Sequence, residues 1–335
     1  MVIEALFLFG LAAVSSVVIW KSSSYFEDSA DKLAAYYGLP GIVQGAVIAA
    51  VGSSMPEISA TVLSALRGEF EIGVGAIVGS AVFNILVIPA LSVLYNGGTV
   101  EIDRDIVYKE TQFYMVSVAT LLLTFSFAVI YNPVGGRDLL EGRVTRLLAA
   151  VPLLLYLLYV FIQYLDTADY DAPESDVSPA KNWAVLAVSL GVIVVGVEGL
   201  VRSAEGLGEV FDTPAFFWSL IVVAAGTSLP DAFVSVEAMR SGKGTVSLAN
   251  VLGSNTFDLL VAVPAGIMIV GTDTVVFSHV VPMMGFLVLA TVVLFVFLRT
   301  DLKLSRREAY LLLGVYGVFV VWILAESVGA VGLVR

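Results

Sequence analysis

The sequence has no cysteine, a single histidine (His279) and only 14% charged residues. The first absence rules out disulfides, thiolate metal sites and cysteine nucleophiles. The second rules out a multi-histidine metal centre. The third says most, because an ordinary soluble domain carries about 25% charged residues. With 59% hydrophobic residues in 335, the apolar surplus exceeds what one water-facing globule can bury. Lipid must be the solvent for most of this surface. Basic residues are also scarce, 17 against 29 acidic for a net charge of −12, which argues against nucleic-acid binding. The chain offers no cofactor motif and reads as a non-enzyme.

What is present is a series of long apolar runs. A hydrocarbon core about 30 Å thick needs about 20 apolar residues per helix. Runs of that kind cover 2–20, 36–66, 72–95, 113–131 and 147–165. After a polar stretch containing Pro173 and Pro179, five more cover 183–201, 213–239, 246–270, 277–298 and 310–328. The first run could pass for a signal peptide. It carries Glu4, however, and lacks both a positive leader and a small-residue cleavage site, so it reads as a membrane helix. The expected fold is an all-α integral membrane protein of ten transmembrane helices. Residues 1–165 form one half, 166–181 a cytoplasmic connector and 182–335 the other half. The connector's Asp166, Asp169, Asp171, Glu174 and Asp176 read as a solvated acidic linker. Eleven of the basic residues fall in the odd-numbered connections and six in the even-numbered and terminal segments. The positive-inside bias therefore puts both termini outside the cell membrane.

The two halves repeat. A shift of 174 residues lays Gly52-Ser53-Ser54-Met55-Pro56-Glu57 on Gly226-Thr227-Ser228-Leu229-Pro230-Asp231. Without a gap it lays Gly79-Ser80-Ala81-Val82-Phe83-Asn84 on Gly253-Ser254-Asn255-Thr256-Phe257-Asp258, and Pro40 on Pro214. Five spans per half is an odd number, so the second half is inserted upside down. Inverted repeats with broken helices and a midplane site are a hallmark of secondary transporters.

Pro56 cannot donate to the Gly52 carbonyl, nor Pro230 to Gly226. Carbonyls near Ala50–Gly52 and Ala224–Gly226 are thereby freed inside the membrane, where protein, water or an ion must satisfy them. One such proline would be a kink healed by serine hydroxyls; two symmetric copies beside acids point to an ion site. Glu57 and Asp231 lie mid-span, where an ionisable side chain is by default functional. Ser53 and Ser54 precede Glu57 by four and three residues, as Thr227 and Ser228 precede Asp231, so each set shares a helix face. Ser80 and Asn84 are four apart, as are Ser254 and Asp258. The result is a hard, anionic, all-oxygen shell. It suits calcium, which takes 6–8 oxygen ligands in flexible geometry, better than magnesium or a transition metal.

These paired motifs resemble the two alpha repeats of the calcium/cation antiporter superfamily, in particular the sodium/calcium exchanger family. The resemblance spans nearly the whole chain. It implies that the broken second and seventh helices, with the third and eighth, enclose a diamond of cation sites. Glu57 and Asp231 would be central ligands, with Asn84 and Asp258 flanking. Ser53, Ser54, Ser80, Thr227, Ser228 and Ser254 would add hydroxyls or carbonyls, and Ala50 and Ala224 carbonyls alone. It also implies that the long first and sixth helices slide to switch access. Asp231 departs from the glutamate many prokaryotic members carry there. The strings around Asn84 and Asp258 look closer to the potassium-dependent subgroup.

Three carboxylates in a small site repel one another and need cations or protons. One calcium or several sodium ions would neutralise them in turn, giving obligatory calcium-for-sodium exchange by alternating access. Partners are thus calcium, monovalent cations and the bilayer, with potassium or protons as further coupling ions. A calcium/proton exchanger of the same fold is the near alternative. An intramembrane aspartyl hydrolase built on Asp231 and Asp258 leaves Glu57 and Asn84 unexplained, and a passive channel leaves the repeat unexplained. Elsewhere, Glu198, mid-span in the sixth helix, meets either Ser219 or solvent, and both a packing and a functional role stay open. His279 reads as an interfacial residue at the start of the ninth span, and Gln44 as lining the access path.

Overall fold

A computed structural model describes residues 2–37, 50–95, 98–104, 106–134, 140–165, 178–240, 244–327 and Val331. Pro40, Gln44 and the acids of the connector lie outside these residues. The first half holds α1 (Val2–Tyr36), α2 (Ala50–Ser53), α3 (Met55–Leu66), α4 (Phe70–Tyr95), α5 (Thr111–Tyr131) and α6 (Arg146–Leu165). The second half starts with α7 (Pro179–Phe211), α8 (Ala215–Trp218), α9 (Ala224–Thr227) and α10 (Leu229–Arg240). It continues with α11 (Gly244–Phe257), α12 (Val263–Val270), α13 (Phe277–Arg299) and α14 (Arg306–Ser327). Among the described residues, eight helical segments are long and apolar enough to cross a membrane. A ninth is a pair, Ala215–Thr227 with Leu229–Met239, bent by 44°.

The expectation of a purely helical chain needs one correction. Four short strands form two antiparallel ribbons, and each ribbon joins the two halves. β1 (Thr99–Glu101) pairs with β4 (Lys303–Ser305), and β2 (Glu141–Thr145) pairs with β3 (Thr272–Val276). At three to five residues they are too short for an alternating pattern to stand out beside helical runs. They do carry the β-branched residues that fit a pleated surface, as in Thr272-Asp273-Thr274-Val275-Val276.

The core is built around α4. It is apolar on every side, as a helix surrounded by others must be, and most of its residues are buried. Glycine lets its neighbours come close. A methyl on Gly73 would stand 2.6 Å from the Thr61 Cα of α3. One on Gly79 would meet the Leu220 backbone and, at 2.7 Å, the Ala224 Cβ. Helix α4 is thereby seated directly against the bent helix of the other half. Outside this core, α1 and α7 pack along each other through Ile19, Ile193, Val197 and Leu200. The outer faces of α6 and α14 expose Leu147, Leu154, Leu157, Tyr310, Val318 and Val321. A row of large exposed apolar side chains suits hydrocarbon rather than water.

Candidate cation site

The site begins where two helices are interrupted by a single residue. Ser54 separates α2 from α3 and Ser228 separates α9 from α10, with φ/ψ of −91°/7° and −78°/−5°. Pro56 and Pro230 each stand at the second position of the restarting helix, where a missing N–H costs nothing because it would have no partner. Glu57 and Asp231 therefore lie in the first turns of α3 and α10, at the positive ends of the peptide dipoles. Such a dipole offsets at most about 2 kcal/mol. Burying a carboxylate at membrane depth costs about 3 kcal/mol on insertion scales. Two dipoles for three buried acids leave a deficit for cations to meet.

The third acid, Asp258, heads a π-helical turn (Asp258–Ala262) between α11 and α12. Pro264 follows at the start of α12 and cannot donate into that turn, and the wider turn absorbs the missing bond. Glu57, Asp231, Asp258 and Asn84 are all buried, none more than 1% exposed.

The hydrogen bonds link the halves. Ser80 donates to Glu57 Oε1 at 3.4 Å, and Ser254 donates to Asp231 Oδ1 at 2.9 Å. These two contacts are related by the 174-residue shift. Ser53 Oγ lies 2.8 Å from Ser254 Oγ, and Ser80 Oγ lies 2.7 Å from Ser228 Oγ. Asn84 donates to Asp231 Oδ2 at 2.9 Å and to Asn255 Oδ1 at 3.0 Å. Asn255 in turn donates to the Ala81 carbonyl at 3.2 Å. Ser53, Ser80, Asn84, Ser228 and Ser254 are thus linked with Glu57 and Asp231, while Thr227 lies beside Glu57 and Ser54 beside Asp258.

The acids differ in how far protein donors occupy them. Both oxygens of Asp231 are hydrogen-bonded. Glu57 Oε2 is buried without a partner, as are both oxygens of Asp258, Asn84 Oδ1 and Ser54 Oγ. Among the described residues no three acidic or histidine side chains already stand close enough to grip an ion. Any ion must therefore be held by mixed carboxylate, amide and hydroxyl oxygens.

Several expectations change. The Ala224 carbonyl is not bare, because it accepts from the Ser228 N–H at 3.0 Å and the Thr227 hydroxyl at 3.3 Å. Ala50 opens α2. Glu198 does not reach Ser219; it pairs with Arg67 and Arg202 at the end of the membrane helices. His279, in the first turn of α13, is buried. It stacks on Phe216 with ring centres 5.8 Å apart, and its Nδ1 lies 3.7 Å from Glu71. Near Glu198, an open cleft of about 1050 Å³ is lined by Arg67, Glu69, Arg202 and Glu205. Partial burial, with Glu205 and Glu71 close by, pushes the Glu69 carboxyl above its usual range.

Sequence reasoning missed three kinds of residue. Asn255 sits inside a recognised motif but replaces Ala81 of the first half, so the repeat gave no reason to single it out. Glu27 of α1 was hidden among Asp28 and Asp31 near a helix end. Its Cγ would lie 3.0 Å from a methyl on Gly52, and its carboxylate lies within electrostatic reach of Asp231. Tyr114 and Tyr156, both buried, lie outside the paired motifs.

Three comparisons bear on this geometry. A family model described as sodium/calcium exchanger protein matches residues 7–165 and 181–325. The sodium/calcium exchanger MaX1 of Methanosarcina acetivorans is 24% identical over 342 residues, covering 91% of this chain and 95% of that protein. Sodium/potassium/calcium exchanger 3 of Rattus norvegicus is 30% identical over 158 residues, 47% of this chain and 23% of that protein. The fold matches a solved structure of the sodium-calcium exchanger NCX_Mj soaked with 2.5 mM Na+ and 1 mM Sr2+. That match has a TM-score of 0.63 and 22% identity, and covers 96% of this chain and 99% of the other.

Proposed function

This chain belongs to the sodium/calcium exchanger protein family, and from that premise we propose that it exchanges calcium for sodium across a membrane as a multi-pass secondary antiporter. The observation that carries the reading is the buried set of three acids, two of them at helix breaks, with oxygens that no protein donor satisfies.

The reading takes the chain as ten membrane passages in two inverted halves, 1–165 and 182–335, joined by the connector 166–181. Strand pairing supports it. Paired strands must lie on the same side of the membrane, so an even number of passages must separate them. Between β1 and β4 come α5, α6, α7, the bent helix, α11–α12 and α13, which is six passages. Between β2 and β3 come α6, α7, the bent helix and α11–α12, which is four. Only α5 separates β1 from β2, so the two ribbons fall on opposite faces. The positive-inside bias then puts both termini outside.

In this mechanism calcium lies between Glu57 and Asp231, whose combined charge matches its own. Ser53, Ser80, Thr227, Ser228 and Ser254 contribute hydroxyl or carbonyl oxygens, and Asn84 its bare Oδ1. Asp258 takes part when sodium replaces calcium. The empty site is too highly charged to cross the low-dielectric barrier, so each passage needs a load. Switching access is assigned to α1 and α7, which pack along one another outside the central core. The cleft beside Arg67 opens at the end of α3 and α7, and its acids would concentrate cations there.

The test is radioactive calcium uptake by proteoliposomes under an imposed sodium gradient. Uptake that follows the gradient and reverses with it is expected. Uptake indifferent to sodium overturns the reading; a pH gradient in sodium-free buffer and a potassium arm then identify the coupled ion.

A further inference from the structure

The side of α1 that packs on the first helix break carries an acid the exchange mechanism above does not use. Glu27 lies so close to α2 that a methyl on Gly52 would stand 3.0 Å from its Cγ and 3.6 Å from its Cα. One of its carboxylate oxygens, Oε1, is buried without a hydrogen-bond partner. Ser23 comes four residues earlier, on the same helix face. It is wholly buried, and its hydroxyl too has no partner. Glu27 lies within electrostatic reach of two other acids, Asp231 and Asp31. Asp31 is exposed, Glu27 half-buried and Asp231 buried. The three acids thus form a series of rising burial that runs from the end of α1 to the centre.

An ionisable side chain inside a membrane is expensive and by default functional, and buried oxygens without partners add to the cost. We propose that Glu27 and Ser23 hold a partly hydrated cation in transit, on a route between the Tyr36 end of α1 and the Glu57–Asp231 centre. The inference rests on the exchanger reading and gives it an entry route. One carboxylate and one hydroxyl supply at most three oxygens, against the 6–8 that calcium takes, so the ion keeps much of its water. Such a station attracts sodium and calcium alike and releases either readily, as passage through successive sites requires. The repeat provides the contrast. The 174-residue shift lays Ser23 on Val197 and Glu27 on Val201, both fully buried apolar residues of α7. Asp31 falls on Glu205, whose carboxylate is already paired with Arg67. The second half therefore lacks the station, which serves one membrane face only.

The experiment uses Glu27→Gln, which keeps length and polarity but removes the charge, and Glu27→Val, the residue the second half carries. Sodium-driven exchange of radioactive calcium is followed in inside-out and right-side-out membrane vesicles, so that each face is titrated separately. One face lies at the Tyr36 end of α1, cytoplasmic in the orientation proposed above. There the half-saturating concentrations of calcium and of sodium should both rise about tenfold in both variants, the scale on which a lining charge concentrates ions. At the opposite face both should stay within about twofold, because the centre's ligands are untouched. Changes at both faces, or at the opposite face alone, overturn the proposal, since they would mark Glu27 as part of the centre or of the packing. Unchanged values at both faces overturn it too, as does a change confined to one of the two ions. Should wild-type vesicles exchange no calcium for sodium, the exchanger reading fails, and equilibrium binding of radioactive calcium to the purified full chain decides instead. The wild type should then hold one weakly bound ion that Glu27→Gln lacks, and persistence of that ion in the variant overturns the station.

Discussion

The two halves of the molecule place equivalent residues at equivalent points and then use them differently. In the first half Ser80 reaches Glu57, and in the second Ser254 reaches Asp231, each across 23 residues of chain. There the likeness stops. Asn84 spends its amide on the opposite half, while its counterpart Asp258 has two buried oxygens and no donor. Ala81 offers only a carbonyl, and its counterpart Asn255 binds that carbonyl. The shared residues make a centre, and the unshared ones give it a bonded side and a bare side. The repeated scaffold thus supplies the shared centre, and two differences decide where charge stays uncompensated.

The comparison can be broken most severely at its shared residues. Glu57→Ala or Asp231→Ala removes one member of a buried charged set, an effect of about 3–5 kcal/mol. Sodium-driven calcium flux in proteoliposomes should fall by at least about a hundredfold in either variant. Symmetry can instead be restored with charge: Asn84→Asp puts a fourth carboxylate against Asp231 and removes a donor from it. We expect about 3 kcal/mol of destabilisation without cations, largely recovered by sodium or calcium, as melting temperatures across a cation titration would report. The opposite restoration, Asp258→Asn, takes a bare charge out of the membrane. It should raise the ion-free melting temperature, by about 1–3 kcal/mol of stability, and lower the number of sodium ions bound. Asn255→Ala copies the first half onto the second and leaves Asn84 unsteered. That should cost about 1–2 kcal/mol, seen in denaturation and in a weaker calcium dependence. The mildest probe compares Ser254→Ala with Ser80→Ala. The shorter bond to Asp231 predicts the larger loss at Ser254, by about 1 kcal/mol or less, read as the difference in calcium half-saturation.

Much of this was legible before any coordinates. The paired glycine-serine-proline-acid strings and the constant shift of 174 gave the break, the acids and their serine neighbours, because proline chemistry and helical spacing act locally. Local rules could not say which oxygens end up bonded. That Asn84 reaches Asp231, 147 residues away, depends on how one hairpin docks on the other. The tyrosines escaped for a related reason: a hydroxyl on a core aromatic matters only when a distant chain places an acid beside it. The partner of Glu198 was not legible because Arg67 lies 131 residues away, nor were the neighbours of His279, because Glu71 and Phe216 come from other elements. The ribbons escaped because three to five residues carry too little pattern.

Those ribbons bear on how the protein divides into moving and stationary parts. Their strands flank α4, α5, α6, α12, α13 and α14, and each clasp ties the first half to the second. With one clasp near each face, a shear between the two halves would have to tear main-chain hydrogen bonds at top and bottom together. Neither clasp includes α1 or α7, which lean on each other, so if the proposed exchange moves these two helices together, no strand has to unzip. Such a movement would carry Trp20 across Phe233, on which it stacks at 4.1 Å.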